Sequence, residues 1–133
     1  IYSATGKLAL PTYTLPKLMW MKTHMRDIFD SADKFLLPLD FINMKLTGNA
    51  VTDYTAAGGT MAFDMKKREW NTDLLGFAGV DPSRLASVGC MGDFVGTVLP
   101  DVANELGIAG KLADRIHGII AADIKEISDI QAV

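Results

Sequence analysis

Residues 12–24 read TYTLPKLMWMKTH, and this stretch predicts the first long helix of the chain. Thr14 can act as its N-cap, because a threonine hydroxyl accepts a hydrogen bond from a free backbone N–H of the first turn. Pro16 is tolerated in that turn, where the N–H that proline lacks has no partner within the helix. Leu15, Leu18 and Met19 line one face, and Trp20 widens it. We therefore expect Trp20 to pack in the core, although the ring of Trp20 or Trp70 could also stack on a sugar.

Short helices and strands are expected to follow this stretch, bounded by proline, glycine or a capping side chain. They are a helix over 27–32, a strand over 34–37, a helix from Pro38 to Gly48 with Leu39, Ile42 and Leu46 at helical spacing, a helix capped by Thr52 or Asp53, and a strand over 61–64. The pair Gly58-Gly59 indicates a tight turn, because a phosphate-binding loop would need a longer glycine pattern after a strand.

In the second half of the chain, proline, glycine and capping residues again mark the ends of the expected elements. The expected elements are a helix capped by Asn71 and ended by Gly79, a helix start at Asp81-Pro82, strand and turn over 86–96, and a helix from Pro100 to Gly107. Leu112, Ile116, Ile119, Ile120, Ile124 and Ile127 then recur at helical intervals, which predicts an amphipathic helix. The β-branched residues leave a strand over 116–121 as the alternative.

Size and composition exclude several classes of protein. The chain has 133 residues and no internal repeat or low-complexity linker, so we expect a single structural unit. Its net charge of −3 argues against nucleic acid as a partner, and no apolar run is long enough to cross a membrane. The single cysteine, Cys90, excludes an internal disulfide and favours a reducing, cytoplasmic setting. Because the first residue is Ile1, we expect a piece of a longer protein or a remnant of one.

The side chains that usually carry chemistry are scattered. His24 and His117 lie far apart in sequence and share no carboxylate at a ligand spacing, so a metal site is not expected. Cys90 lacks a charged neighbour that would activate its thiol. Asp53 precedes a helical stretch, where a carboxylate is more often a cap than a general base. From these residues alone, the chain is a mostly helical α/β piece without an active site.

A resemblance to a known family adds what the residues alone do not indicate. Residues 12–24 resemble one of the two sequence signatures of the FGGY family of carbohydrate kinases. The positions that comply are Thr14, Lys17, Leu18, Trp20, Met21, Thr23 and His24. Thr12 departs, because the family prefers Tyr, Phe, Met, Gly or Ser at that position.

Further blocks agree with the family in the same order along the chain. Residues 36–41 (LLPLDF) resemble its LLPKDYL, residues 45–48 (KLTG) its RLTG, and residues 52–61 (TDYTAAGGTM) its TDxSxAxxT stretch. Phe63-Asp64, Trp70, Leu74-Leu75 and residues 96–100 (GTVLP) follow at the family's spacing. The resemblance covers roughly residues 5–108.

The resemblance implies an α/β fold and a reaction. Residues 1–108 would be the second half of a ribonuclease-H-like N-terminal domain of the actin and hexokinase type, and residues 109–133 a divergent tail. The reaction would transfer the γ-phosphoryl group of MgATP to a sugar hydroxyl, with an aspartate as base and magnesium gathering the phosphate charge.

The resemblance also implies that catalytic parts are missing. The family's Asp-Gly-Thr phosphate loop would precede Ile1, and its Gly-Gly-Gly-Asp stretch would follow the point matched by Leu106-Gly107. Neither motif occurs here, and the nearest imitation of the base, Asp123, has no glycines around it. We therefore assign no catalytic, cofactor-binding or metal-binding residue, place MgATP in the parent enzyme only, and expect this chain to be inactive alone.

The substrate expectation rests on residues 10–18. Their sequence LPTYTLPKL is most similar to the LPGFTAPKL of xylulose kinases, which implies a pentulose such as D-xylulose as the sugar. The resemblance places Thr12 and Tyr13 near that sugar. Glycerol kinases carry a tyrosine aligned with Thr12, so glycerol is disfavoured. The alternative hypothesis is a non-catalytic helical interaction module that self-associates through exposed apolar surface such as the stripe over 112–127.

Overall fold

A computed structural model describes residues 1–107 and the backbone of a short strand at Ile116–His117. The helices in this part are α1 (Tyr2–Thr5), α2 (Thr14–His24), α3 (Arg26–Ser31), α4 (Pro38–Thr47), α5 (Tyr54–Gly58), α6 (Thr72–Ala78) and α7 (Pro100–Leu106), with a 3-10 turn at Pro82–Arg84. The strands are β1 (Val51–Asp53), β2 (Phe63–Asp64), β3 (Glu69–Trp70), β4 (Ser87–Gly89), β5 (Phe94–Gly96) and β6 (Ile116–His117).

The chain divides into two compact units, where the sequence predicted one. Unit 1 contains Ile1–Phe35 and Tyr54–Val88, and unit 2 contains Leu36–Asp53 and Gly89–Val133. Each unit is assembled from two separated segments. The prediction of a single unit was wrong because no proline-, glycine- or serine-rich linker marks the crossings between the units in the sequence.

Unit 1 is organised around α2, which packs against α3 and α6. Its core consists of Leu15, Leu18, Phe29, Met61, Ala62, Leu74, Leu75, Ala78, Val80 and Leu85. Strands β2 and β3 form an antiparallel pair with Phe63 opposite Trp70, and the indole N–H of Trp70 donates to the Ala86 carbonyl at 2.9 Å. The Asn71 side chain caps α6 by accepting from the Leu74 N–H, and Gly79 ends the helix at φ +65°, as the sequence predicted.

The start of α2 differs from the prediction by one residue. Thr14 already belongs to the helix, and the extended residue before it, Tyr13, is the N-cap and provides no side-chain bond. The N–H of Leu15 instead donates to the Thr60 carbonyl at 3.0 Å. A contact across 45 positions of sequence therefore pairs one of the first-turn N–H groups that a helix cannot pair internally.

Two further predictions in and beside unit 1 were wrong. Residues 34–37 form no strand, because the backbone of Phe35 makes a single bond, from its N–H to the Arg84 carbonyl at 2.7 Å, and not a ladder. Trp20 is 54% exposed and does not pack in the core. The buried side chains of α2 are Leu15 and Leu18, and Trp20 lies two residues beyond Leu18, on the opposite side of a helix with 3.6 residues per turn.

Unit 2 combines helices with short strands. Helix α4 begins at Pro38 and ends at Gly48, which adopts φ +81°, and it packs against β1 and β5. Strand β5 pairs antiparallel with β6, so that Phe94 lies opposite His117. The Leu99 N–H donates to the Leu46 carbonyl at 2.8 Å, just before α7.

The position of α4 was predicted correctly from the sequence, but its buried face was predicted wrongly. The predicted apolar face was Leu39, Ile42 and Leu46, yet Ile42 is 47% exposed. The buried side chains of the helix are Asp40, Asn43 and Thr47. These residues share a face because they are spaced three and four apart. The interior side of this helix is polar.

Two other predictions in unit 2 need correction. Thr52 lies within β1, and α5 begins only at Tyr54, so Thr52 does not cap a helix. Ile116–His117 is a strand, which contradicts the predicted helix at these two residues and agrees with the alternative. The rest of the apolar stripe over 112–127 lies outside the described residues.

Candidate functional site

An open groove runs along α2. It has a volume of about 510 Å³ and is lined by Pro11, Pro16, Lys17, Trp20, Met21 and Met25. The lining extends from the approach to α2 at Pro11 to Met25, which follows the last residue of the helix. The lining is apolar apart from the Lys17 ammonium group, so the groove offers a hydrophobic surface with one cation at its side.

The indole of Trp20 is held in place at the edge of this groove. The ring stacks on the imidazole of His24, with centroids 4.8 Å apart and planes 14° apart. The Nδ1 atom of His24 lies 3.0 Å from the Trp20 carbonyl oxygen, and because a carbonyl only accepts, Nδ1 is the nitrogen that carries the proton in this bond. A stacked, exposed aromatic ring of this kind is a surface on which the apolar face of a sugar can lie.

The two residues that the sequence placed near a sugar are next to the groove. Thr12 is exposed and lies between Pro11, which lines the groove, and Tyr13, the N-cap of α2. Tyr13 is half-buried and packs against the core of unit 1. The Lys7 ammonium lies 5.9 Å from the centre of the Tyr13 ring. Of the pair, Thr12 has the free side chain, and Tyr13 is partly committed to packing.

Comparison with known proteins identifies the family. The model of the FGGY family of carbohydrate kinases, N-terminal domain, matches residues 1–118. The chain belongs to the FGGY family of carbohydrate kinases. It is 40% identical over 104 residues to the xylulose kinase of Staphylococcus xylosus, covering 78% of this chain and 22% of that protein. It is 35% identical over 105 residues to the xylulose kinase of Escherichia coli, covering 79% of this chain and 22% of that protein.

Solved structures confirm the fold class of this FGGY chain. The crystal structure of gluconate kinase from Lactobacillus acidophilus superposes with a TM-score of 0.80 at 27% identity, covering 87% of this chain and 23% of that one. The ribonuclease-H-like α/β fold expected from the sequence is therefore confirmed. The chain spans about a fifth of the length of the relatives that it matches.

The possible metal-ligating side chains in the described part of this FGGY chain are dispersed. No group of three or more His, Cys, Asp or Glu side chains within residues 1–107 is arranged to hold a metal. His24 is exposed at the end of α2, and Cys90 is an exposed free thiol. The side chain of His117 and the whole of Asp123 lie outside the described residues. No helix in the same part is long and apolar enough to span a bilayer.

Sequence reasoning missed a cluster of buried polar side chains in unit 2. Asp40 and Asn43 on α4 are 2% and 3% exposed, and Thr52 on β1 is 3% exposed. Burial raises the pKa of the Asp40 carboxyl, a bond from the Leu37 N–H and the nearby Thr52 hydroxyl oppose the increase, and the charge of Asp53 adds to it. The signal available in the sequence was the i, i+3 spacing of Asp40 and Asn43, which competed with an apolar face of the same period.

Proposed function

We propose that this chain is the sugar-binding part of an ATP-dependent pentulose kinase whose sugar is D-xylulose. The observation that carries the proposal is the 40% and 35% identity to two xylulose kinases across a segment that contains the groove and the signature residues Lys17 and Trp20. The fold does not choose the sugar, because a gluconate kinase superposes on this chain with a TM-score of 0.80. The identity of the sugar therefore rests on sequence similarity.

Within the groove region we assign Thr12 and Tyr13 to substrate binding. Thr12 is exposed beside Pro11, and its hydroxyl can both donate to and accept from a sugar hydroxyl. The exposed ring of Trp20 at the same groove supports the assignment, since it offers an apolar face beside those polar groups. Tyr13 would contribute mainly by fixing the backbone between Thr12 and α2.

We further propose that MgATP binds in the parent enzyme and that this chain alone does not phosphorylate sugar. Phosphoryl transfer depends on groups that position the γ-phosphate and accept the proton of the sugar hydroxyl. The Asp-Gly-Thr and Gly-Gly-Gly-Asp motifs that carry these roles in the family do not occur in residues 1–133. The single free thiol, Cys90, is in line with a cytoplasmic enzyme.

A chimera tests the proposal directly. This chain would replace the matched segment of the Staphylococcus xylosus xylulose kinase, and phosphorylation of D-xylulose, gluconate and glycerol would be followed with MgATP. We expect the chimera to prefer D-xylulose and the isolated chain to give neither turnover nor calorimetric heat with D-xylulose and MgATP. Turnover by the isolated chain, or a folded chimera that prefers another substrate, would contradict the proposal.

Variants at Thr12 test the site in the same chimera. Thr12→Tyr should raise KM for D-xylulose by about tenfold or more, because a ring replaces a hydroxyl in direct contact with the sugar. Thr12→Ser, which keeps the hydroxyl, should stay close to the parent. Thr23→Tyr is the matched control, since Thr23 is also exposed but lies in the last turn of α2, far along the helix from Thr12. Equal effects of Thr12→Tyr and Thr23→Tyr would remove Thr12 from the site.

The interaction module remains the second candidate, favoured by the apolar lining of the groove. It predicts that the isolated chain forms a stable dimer, measured by sedimentation equilibrium, and that Trp20→Ser weakens the dimer. A monomer at high micromolar concentration would exclude it.

A further inference from the structure

The face of α4 that meets β1 carries buried oxygen atoms that lack hydrogen-bond partners. Asp40 and Asn43 are three residues apart and therefore lie on one side of the helix. Helix α4 packs on β1, which contains Thr52. Among the described residues, Asp40 Oδ1, Asn43 Oδ1 and Thr52 Oγ1 are buried without a partner. Buried polar atoms in native proteins nearly always have one, so these three atoms require an explanation.

Neighbouring contacts place the three side chains next to one another. The Asn43 amide donates from Nδ2 to the Val51 carbonyl at 2.9 Å, which places Asn43 beside Thr52. The Thr52 hydroxyl lies beside the Asp40 carboxyl and favours its charged form, but the hydroxyl oxygen has no partner at hydrogen-bond geometry. The other carboxylate oxygen, Asp40 Oδ2, already accepts from the Leu37 N–H at 2.9 Å. The unpartnered atoms thus share one small polar region between helix and strand.

We propose that a single internal water molecule binds in this region and bridges α4 to β1. It donates one hydrogen bond to Asp40 Oδ1 and one to Asn43 Oδ1, and it accepts one from the Thr52 hydroxyl. An internal water typically makes about three hydrogen bonds to buried groups that have no other partner, which matches the number and type of atoms offered here. A calcium ion would need about six to eight oxygen ligands, and the region offers three with one carboxylate among them.

The bridge would explain why this helix keeps a polar face toward the interior. Fully satisfied polar networks define one arrangement of their elements, whereas partly satisfied ones are costly. With the water in place, each of the three oxygen atoms that otherwise lack a partner makes a hydrogen bond. The water site does not involve the sugar groove. The water proposal can therefore be wrong while the proposed kinase function holds, and the kinase proposal can be wrong while the water is present.

A high-resolution crystal structure of the complete 133-residue chain tests the proposal. We expect an ordered water within hydrogen-bond distance of all three oxygens. The Thr52→Ser variant, which keeps the hydroxyl, should retain this water, and Thr52→Val, which has nearly the same shape, should lose it. Thr47→Val is the matched control in the same unit, because the Thr47 hydroxyl donates to the Asn43 carbonyl at 2.7 Å, and its removal should leave the water in place.

Several outcomes would overturn the proposal. One is a direct hydrogen bond between the Asp40 carboxyl and the Asn43 or Thr52 side chain with no density between them. Another is a cation with several further ligands at the same point. A third is an unchanged water in Thr52→Val. If Thr52→Val does not fold, the wild-type and Thr52→Ser structures still decide, since both must show the three-bonded water.

Discussion

The two units of this chain are built around interiors of opposite character. In unit 1 the buried side chains are mainly apolar and form one cluster around Phe29, Leu75 and the buried face of α2. In the described part of unit 2 the buried side chains include Asp40, Asn43, Thr47 and Thr52, accompanied by Val95 and Val98. Unit 1 therefore depends on the area of apolar surface removed from water, and unit 2 on how completely its polar groups are paired.

This difference separates what each interior tolerates. An apolar core loses stability roughly in proportion to the volume removed from it, because van der Waals contacts have no preferred direction. A polar interior is sensitive to a single unpaired atom, because desolvation is recovered only when each group finds a partner. The predictions below test this contrast, beginning with the largest expected effect.

The largest effect is expected in the apolar core of unit 1. Phe29→Ala removes a ring that is 2% exposed and packs against Phe35 with centroids 4.9 Å apart. It should lower the free energy of unfolding by about 3–5 kcal/mol. Urea denaturation followed by tryptophan fluorescence measures this, because both tryptophans belong to unit 1. The matched control is Phe77→Ala, at a ring that is 67% exposed, which should change stability by less than about 0.5 kcal/mol. Similar losses in the two variants would mean that the cluster does not hold unit 1 together.

A smaller effect is expected at Arg84, a cation that contacts Phe29 of the unit 1 core and Phe35 packed against it. The Arg84 guanidinium donates to the Phe29 carbonyl at 2.6 Å and to the Ala32 carbonyl at 2.5 Å, and it stacks 4.5 Å from the centre of the Phe35 ring. Arg84→Met keeps much of the apolar stem but leaves both carbonyls at the end of α3 without this donor. We expect a loss of about 2 kcal/mol in urea denaturation.

The control for Arg84→Met is Arg26→Met, at a cation of α3 itself. Arg26 pairs with Asp30 at 3.2 Å, but its side chain is 76% exposed, and surface ion pairs contribute little. Its replacement should cost less than about 1 kcal/mol. If Arg26→Met destabilises the chain as much as Arg84→Met, the contacts of Arg84 with the carbonyls are not what stabilises α3.

The contrast between the units also explains what the sequence could predict. Helix ends were predicted correctly where local chemistry decides them, as at Asn71, Gly79 and Gly48. The predictions failed where a distant contact decides, as at the start of α2, where the Leu15 N–H donates to the Thr60 carbonyl 45 positions away. The buried face of α4 was missed since apolar and polar residues of that helix repeat with the same period, and apolar periodicity was taken as the guide.

The candidate site was predicted only in part, for the same reason. The similarity of residues 10–18 to xylulose kinases led to Thr12 and Tyr13, and the groove lies next to both. The groove itself was not predictable, because its wall includes Met25 and depends on the exposure of Trp20. That exposure follows from which face α2 presents to α3 and α6.

The smallest expected effect is a change in how the free energy of unfolding depends on pH. It compares one buried carboxyl from each unit. Burial raises the pKa of Asp40 in unit 2. In unit 1 the backbone N–H of Lys67, helped by that of Lys66, lowers the pKa of Asp64 despite an opposing contribution from burial. The two acids share an ordinary pKa of 3.8, so their departures from it have opposite signs.

These departures predict opposite dependence of stability on pH. Where the folded pKa is raised, the folded state holds a proton that the unfolded state has lost, so the contribution of Asp40 is greatest below 3.8 and falls as the pH rises through the folded pKa. Where the folded pKa is lowered, the contribution of Asp64 is complete above 3.8 and is lost as the pH falls toward the folded pKa. The stability difference between wild type and Asp40→Asn should therefore decrease with rising pH, and that between wild type and Asp64→Asn should increase.

Hydrogen exchange of the α4 amides and of the β2–β3 amides across this pH range measures the two differences separately. Asparagine keeps an oxygen that can accept from Leu37 at position 40 and from Lys66 and Lys67 at position 64, so each variant removes the charge with little change in shape. Each variant is the control for the other, since both lose one carboxylate. Slopes of the same sign would show that loss of charge alone governs both sites. In that case the contrast between an apolar and a polar interior would not extend to electrostatics.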